Sequence, residues 1–173
     1  MTATATLTSA STPLLLEPNA LYLILLDRGD TYTFHWKLYL TTNSSTSPTA
    51  GQIFHITNEA GLTAWEYETS PTTELPTSRR LLLALQVGVL DPVLHRALGE
   101  RLALVPLALY STRFWEHLSC RVWVKEALFA LDDEGYVSLG KSVREIEEEA
   151  KFLGILCKSK CERRVGRSVG CIV

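Results

Sequence analysis

Residues 31–40 (TYTFHWKLYL) alternate side chain by side chain, and this run constrains the fold more than any other segment. A β-strand sends successive side chains to opposite faces. Tyr32, Phe34, Trp36, Leu38 and Leu40 therefore share one face, and Thr33, His35, Lys37 and Tyr39 share the other. Such a strand needs neighbours to pair with and a layer to cover its apolar side. Residues 21–26 form a continuous apolar run ended by Asp27, Gly29 and Asp30, which predicts a buried strand followed by a turn. After the Thr/Asn/Ser/Pro-rich segment 41–51, a hairpin loop, residues 52–57 form another strand, with Phe54 and Ile56 opposite Ile53 and His55. Residues 62–68 are expected as a further strand, 69–78 as a loop, and the Leu/Val-rich segment 79–90 as a strand.

The second half reads as helix. Asp91-Pro92 places an N-cap before a proline at the first helical position, for a helix reaching about Leu102. Ser119 caps a helix starting at Cys120, whose apolar stripe is Cys120, Val124, Ala127, Leu128 and Leu131, ended at 132–135. Ser142 and Glu145 have capping-box spacing, and Val143, Ile146, Ala150 and Leu153 mark the buried face of a last helix. Glu147–Glu149 reads as its solvated face. Strands first and helices after predict an α+β fold, an antiparallel sheet packed by helices.

Composition sets the outer bounds. With 46% hydrophobic and 21% charged residues among 173, the chain is globular, and its net charge of −2 gives no global basic field for nucleic acid. No apolar run approaches the roughly 18 residues of a spanning helix, and no secretory leader is visible at the N-terminus. Four cysteines, three of them near the end, are not a disulfide framework, which points to a reducing, cytoplasmic setting. The organisation expected is a disordered Thr/Ala/Ser segment at 1–13, one domain at 14–156 and a basic, cysteine-containing tail at 157–173, poorly ordered beyond about Lys158. The charge is uneven. Residues 151–173 carry net +5, which leaves −7 on the remainder. Basic residues beside Cys157, Cys161 and Cys171 suit weak contact with an anionic membrane surface, and the plainer alternative is a solubilising tail.

The chemistry concentrates on one thiol. Cys120 is the only cysteine in the folded body, and it sits at a predicted helix N-terminus, where the helix dipole favours a thiolate. His35 occupies the polar face of a strand committed on its other side to the core, and His55 lies on the next strand. Adjacent strands are about 4.8 Å apart, so the two imidazoles can meet if the register allows. Nucleophile on a helix, base on a strand and orienter on its neighbour is the logic of a catalytic triad.

Three blocks in order resemble a family. Phe34-His35-Trp36-Lys37-Leu38-Tyr39, Phe54-His55-Ile56 and Ser119-Cys120-Arg121-Val122-Trp123-Val124 are similar to the His, His and Cys motifs of lecithin retinol acyltransferase and its phospholipase/acyltransferase relatives, circularly permuted members of the NlpC-type papain-like superfamily. The resemblance implies a permuted papain-like fold with His35 as general base, His55 as orienter, Cys120 as acyl-accepting nucleophile and the Cys120 N–H as an oxyanion donor. Ser119 stands where the family has Asn, and the family's C-terminal membrane span is replaced by an acidic-headed helix and the basic tail. A hydrolase, an acyltransferase and a cyclase acting on a small-molecule or lipid ester, thioester or amide all follow from this chemistry. Trp36, Trp65, Arg113 and Trp115 are expected to border the substrate, and Asn58 or Glu59 to supply a further polar group. His117 and His95 are expected outside the site. No metal ligands, phosphate loop or dinucleotide fingerprint are readable, and no cofactor or nucleic-acid partner is expected. The alternative is a non-catalytic binding module of the same fold, with Cys120 as a small core residue.

Overall fold

The computed structural model describes residues 12–30, 32–42, 50–58 and 64–172. It is an α+β protein built on a six-stranded sheet. Strands β1 (Ala20–Asp27), β2 (Phe34–Thr41), β3 (Gly51–Thr57), β4 (Glu66–Thr72), β5 (Leu81–Val89) and β8 (Arg164–Arg167) lie in the order β4-β3-β2-β1-β5-β8. Every pairing is antiparallel except β5 with β8, which is parallel. Helices α1 (His95–Ala103), α2 (Cys120–Asp133) and α3 (Val143–Lys160) follow β5, and a small ribbon of β6 (Tyr110–Ser111) and β7 (Glu116–His117) leads into α2.

The alternation in β2 has the expected effect on one side. Phe34, Trp36, Leu38 and Leu40 join Leu21, Leu23 and Leu25 of β1 and Leu83, Leu85 and Val87 of β5 beneath α2 and α3. The stripe of α2 faces them, with Val124, Ala127 and Leu131 fully buried. On the opposite face, Tyr22, Ile24, Tyr39, Ile53 and Ala84 form a second, smaller core, covered in part by Leu14, Leu16 and Leu75. The polar face read from sequence is thus polar only at its His35–Lys37 end. Helix α3 comes down close on the sheet at Gly154, where a Cβ would lie 2.6 Å from Leu25 Cδ1.

Both capping residues act as expected: the Ser119 hydroxyl accepts from Val122 N, and Ser142 and Glu145 form a reciprocal capping box. Three expectations are corrected. The strand placed at 62–68 is β4, Glu66–Thr72, so part of the expected loop at 69–78 is strand. Pro71 concealed it, yet β4 is an edge strand, where a missing N–H costs no ladder bond. The helix expected from Pro92 opens with a 3₁₀ turn, Pro92–Leu94, and becomes α-helical at His95.

The poorly ordered tail is also corrected. Helix α3 continues to Lys160 with Cys157 buried, and Cys161 ends it in a left-handed conformation at φ 53°. The chain then adds β8 to the sheet, with Leu83↔Arg164 through Gln86↔Arg167 in register. Glu149 accepts from the Ser168 hydroxyl at 2.6 Å and from Val169 N at 3.2 Å, which staples the segment to α3. Residues 1–11 of the expected disordered N-terminal segment, Thr31 of the first expected alternating strand, 43–49 of the hairpin loop, Glu59, and Leu62 and Thr63 of the strand expected at 62–68 lie outside the described residues.

Candidate active site

The β2–β3 ladder pairs Leu38 through Thr41 with Phe54 through Gly51 and goes no further, although β2 extends back to Phe34 and β3 runs on to Thr57. The unladdered ends carry the histidines. By alternation His35 and His55 project from the face opposite the helices, while Phe34 and Trp36 point toward them. Their rings meet edge to face, 5.4 Å between centroids at 83°. Lys37 Nζ lies 3.2 Å from His55 Nε2, and Glu68 Oε2 on β4 lies 3.6 Å from the same nitrogen.

Cys120, at the start of α2, lines the same cavity as the two histidines. Its thiol points at the carbonyl oxygen of Phe34, 4.0 Å away, directly before His35. The residue is only 5% exposed, yet it lines two cavities. The first, of about 390 Å³, is lined by Leu26, Arg28, His35, Lys37, His55, Thr57, Asn58, Trp65 and Arg80 together with Cys120. The second, about 260 Å³, opens on the other side of the thiol among Tyr32, Phe34, Trp36 and Ile155, with Arg28 shared between the two. The register places these groups. Leu26 pairs with His35 on one side and Leu81 on the other, so Arg28 just past β1 and Arg80 just before β5 emerge at the same sheet end.

The electrostatics at His35 are one-sided. Burial, then the charges of Lys37, His55, Arg28 and Arg80, lower its pKa from 6.5 to about 4. At neutral pH the ring is therefore uncharged and has a lone pair to accept a proton.

On the α3 side of Cys120 the charges are matched. Arg121 pairs with Glu116 and Glu147, and Lys125, 2% exposed, pairs with Glu116 and with Glu147 at 2.9 Å. Lys151 adds a contact to Glu147 at 2.6 Å. Burial pushes the Glu116 carboxyl up, but hydrogen bonds from Arg121 and Lys125 outweigh it and hold the group at about 2. Glu147, expected on a solvated helix face, is instead buried within this network.

Of the expected substrate-bordering residues, Trp65 lines the first cavity and Trp36 the second, although Trp36 is mainly a core side chain. Arg113 and Trp115 line neither. Arg113 pairs with Glu126 at 3.3 Å and lies 3.5 Å over the Phe129 ring, and Trp115, 73% exposed at φ 59°, sits in the turn of the β6–β7 ribbon. His117 meets Tyr110 edge to face in that ribbon, and His95 begins α1. Asn58 does reach the first cavity. Arg28 and Arg80 were not singled out from sequence, since they lie 52 positions apart and meet only through the β1–β5 ladder. Lys37 had a visible signal, two residues from His35 on the same strand face. Among the described residues no group of three or more His, Cys, Asp or Glu side chains is arranged to hold a metal ion, and no helix is long and apolar enough to cross a membrane.

A thiol at the start of α2 and two strand-borne imidazoles line one cavity of this α+β protein. Residues 19–162 match the family described as Family of unknown function (DUF6914), and the chain belongs to that family. Compared with curated proteins and with solved structures, the chain matches none.

Proposed function

We propose that the protein is a thiol-dependent acyl-transfer enzyme with Cys120 as nucleophile, His35 as general base and His55 as positioning residue. One observation carries the reading: Cys120, His35 and His55, from three elements separated by up to 85 positions, line a single cavity. Cys120 Sγ attacks the carbonyl carbon of an ester, thioester or amide, and its proton passes to the neutral His35 ring. Negative charge gathers on the former carbonyl oxygen. The Cys120 N–H, at the first position of α2 and without an acceptor within the helix, suits that oxygen. Collapse of the intermediate breaks the bond to the leaving group, which departs with the proton from His35 and leaves an S-acyl Cys120. Water or a second nucleophile then gives up a proton to His35, attacks the thioester and restores the thiol. The resemblance to permuted papain-like acyltransferases supports the same assignment, and the two cavities that Cys120 lines offer separate places for acyl and leaving parts.

The test is alkylation of the native protein with iodoacetamide, mapped by mass spectrometry. Cys120 is expected to react at least about tenfold faster than a free thiol at pH 6, where an unassisted thiol of pKa about 8.5 is almost wholly protonated. His35→Gln should remove the advantage. A Cys120 that reacts only after unfolding sinks the reading and favours a non-catalytic module in which the residue is core packing.

A further inference from the structure

The two cavities that Cys120 lines have different surroundings, and acyl transfer through His35 assigns them different tasks. His35 takes the thiol proton, hands it to the leaving group and later takes one from the acceptor. Leaving group and acceptor must both reach His35, which lines the first cavity. The acyl part exchanges no proton with His35, and the second cavity is left to it.

That second cavity is aromatic. Tyr32, Phe34 and Trp36, at alternate positions leading into and along β2, line it together with Ile155 of α3. Phe34 and Trp36 are buried, whereas Tyr32 is 59% and Ile155 38% exposed, so the cavity runs from a mouth at Tyr32 and Ile155 down to rings of the core. Two of the cations on its lining, Arg121 and Lys151, are held by Glu116 and Glu147. Its volume of about 260 Å³ lies below the roughly 300–1,000 Å³ of a pocket for a whole drug-sized ligand, which suits one part of a substrate. Aromatic pairs gain from edge-to-face and offset contacts beyond the area they bury, so three rings favour a ring over a chain of equal carbon count.

Tyr32 is held at that mouth. Its φ of 63° is left-handed, a costly conformation for a bulky side chain that persists where the surroundings impose it. The residues flanking it are tied to α3 and to one another: Lys158 Nζ binds Asp27 Oδ1 at 2.7 Å and the Asp30 carbonyl, and the Thr33 hydroxyl donates to Asp30 Oδ1. Lys158 lies three residues beyond Ile155, on the same side of α3, so the tie and the cavity wall share one helix face.

We infer that the second cavity receives the acyl group of the substrate and that this group ends in a single aromatic ring, with Tyr32 and Ile155 setting the preference. This rests on the reading of Cys120 as nucleophile.

The N-acetylcysteamine thioesters of phenylacetic and octanoic acid provide the test, since both deliver acyl groups of equal carbon count from a leaving group without a ring. Cys120 Sγ bonds to the acyl carbon, the carbon–sulfur bond to N-acetylcysteamine breaks, and the thiol proton leaves with N-acetylcysteamine. The quantity measured is the initial rate constant for the phenylacetyl over that for the octanoyl thioester, divided by the same ratio for glutathione. A ratio taken within one protein cancels any change in the thiol itself. The expected value is about ten or more. Tyr32→Ala and Ile155→Trp, the second of which fills the mouth, should each bring it close to one, and Tyr32→Phe should keep it. A wild-type value near or below one, with Cys120 acylated, overturns the aromatic acyl cavity and leaves the nucleophile standing. A high value that survives both Tyr32→Ala and Ile155→Trp also overturns it, because the preference then arises elsewhere. Consumption of neither thioester, or equal consumption by Cys120→Ser, sinks both readings.

Discussion

On the α3 side of Cys120, Arg121, Lys125 and Lys151 meet Glu116 and Glu147 in a network where each cation has a carboxylate. On the strand side, Arg28, Lys37 and Arg80 line the cavity that His35, His55 and Cys120 also line. The first cluster is centred on the buried Lys125 and Glu147, so its work is architectural: it fixes the start of α2 against α3 and thereby the position of the thiol. The second lines a cavity beside the thiol, with Arg28 and Arg80 exposed. Both clusters carry three cations, and burial separates them: Lys125 is 2% exposed, whereas Arg28 and Arg80 are exposed.

That contrast can be broken by mutation. The largest expected effect is from Lys125→Ala, which leaves Glu116 and Glu147 short of a buried partner and should lower unfolding free energy by about 3 kcal/mol in urea titrations. A loss below about 0.5 kcal/mol would place the network among screened surface pairs. His35→Gln should have a smaller, pH-dependent effect. In the folded protein the ring titrates at about 4, against 6.5 when free, so between those values the unfolded chain binds a proton that the folded one refuses. Wild-type stability therefore falls as pH drops from about 6.5 to about 4, and the variant should fall less over that window. Parallel urea midpoints for the two proteins at pH 7.5 and 4.5 would contradict it. The smallest effect belongs to the Arg28→Gln/Arg80→Gln pair, which should change stability by no more than about 0.5 kcal/mol, because both side chains are exposed at the end of the sheet. A marked loss would move Arg28 or Arg80 into the scaffold.

What could be read in advance was local. Period-two alternation placed β2 and put His35 and Lys37 on one face, and the Ser119 and Ser142 caps placed two helix starts to the residue. What could not be read depended on distant partners. Residues 164–167, RVGR, have no strand signature of their own and become β8 only because β5 presents an open edge. Glu147 looks solvated beside Glu148 and Glu149, and its burial is set by Arg121 and Lys125 on another helix. Tyr39 shares the face of His35 and Lys37 but is wholly buried, because a second core covers that end of the sheet. Within the site, the thiol and both histidines were visible as types and order, whereas Arg28 and Arg80 were two ordinary surface arginines until strand register placed them together.

The parallel pairing of β5 with β8 also bears on how the chain is made. Strand β5 (LLLALQVGV) is almost wholly apolar, and its outer edge stays unpaired until Arg164–Arg167 arrive, 75 positions after it ends. At roughly 5–20 residues per second, a ribosome needs about 4–15 s to cover that distance. For that interval the nascent domain exposes the type of edge that recruits foreign strands. The interval belongs to the order of synthesis, so slowing translation lengthens it and leaves the stability of the finished fold unchanged.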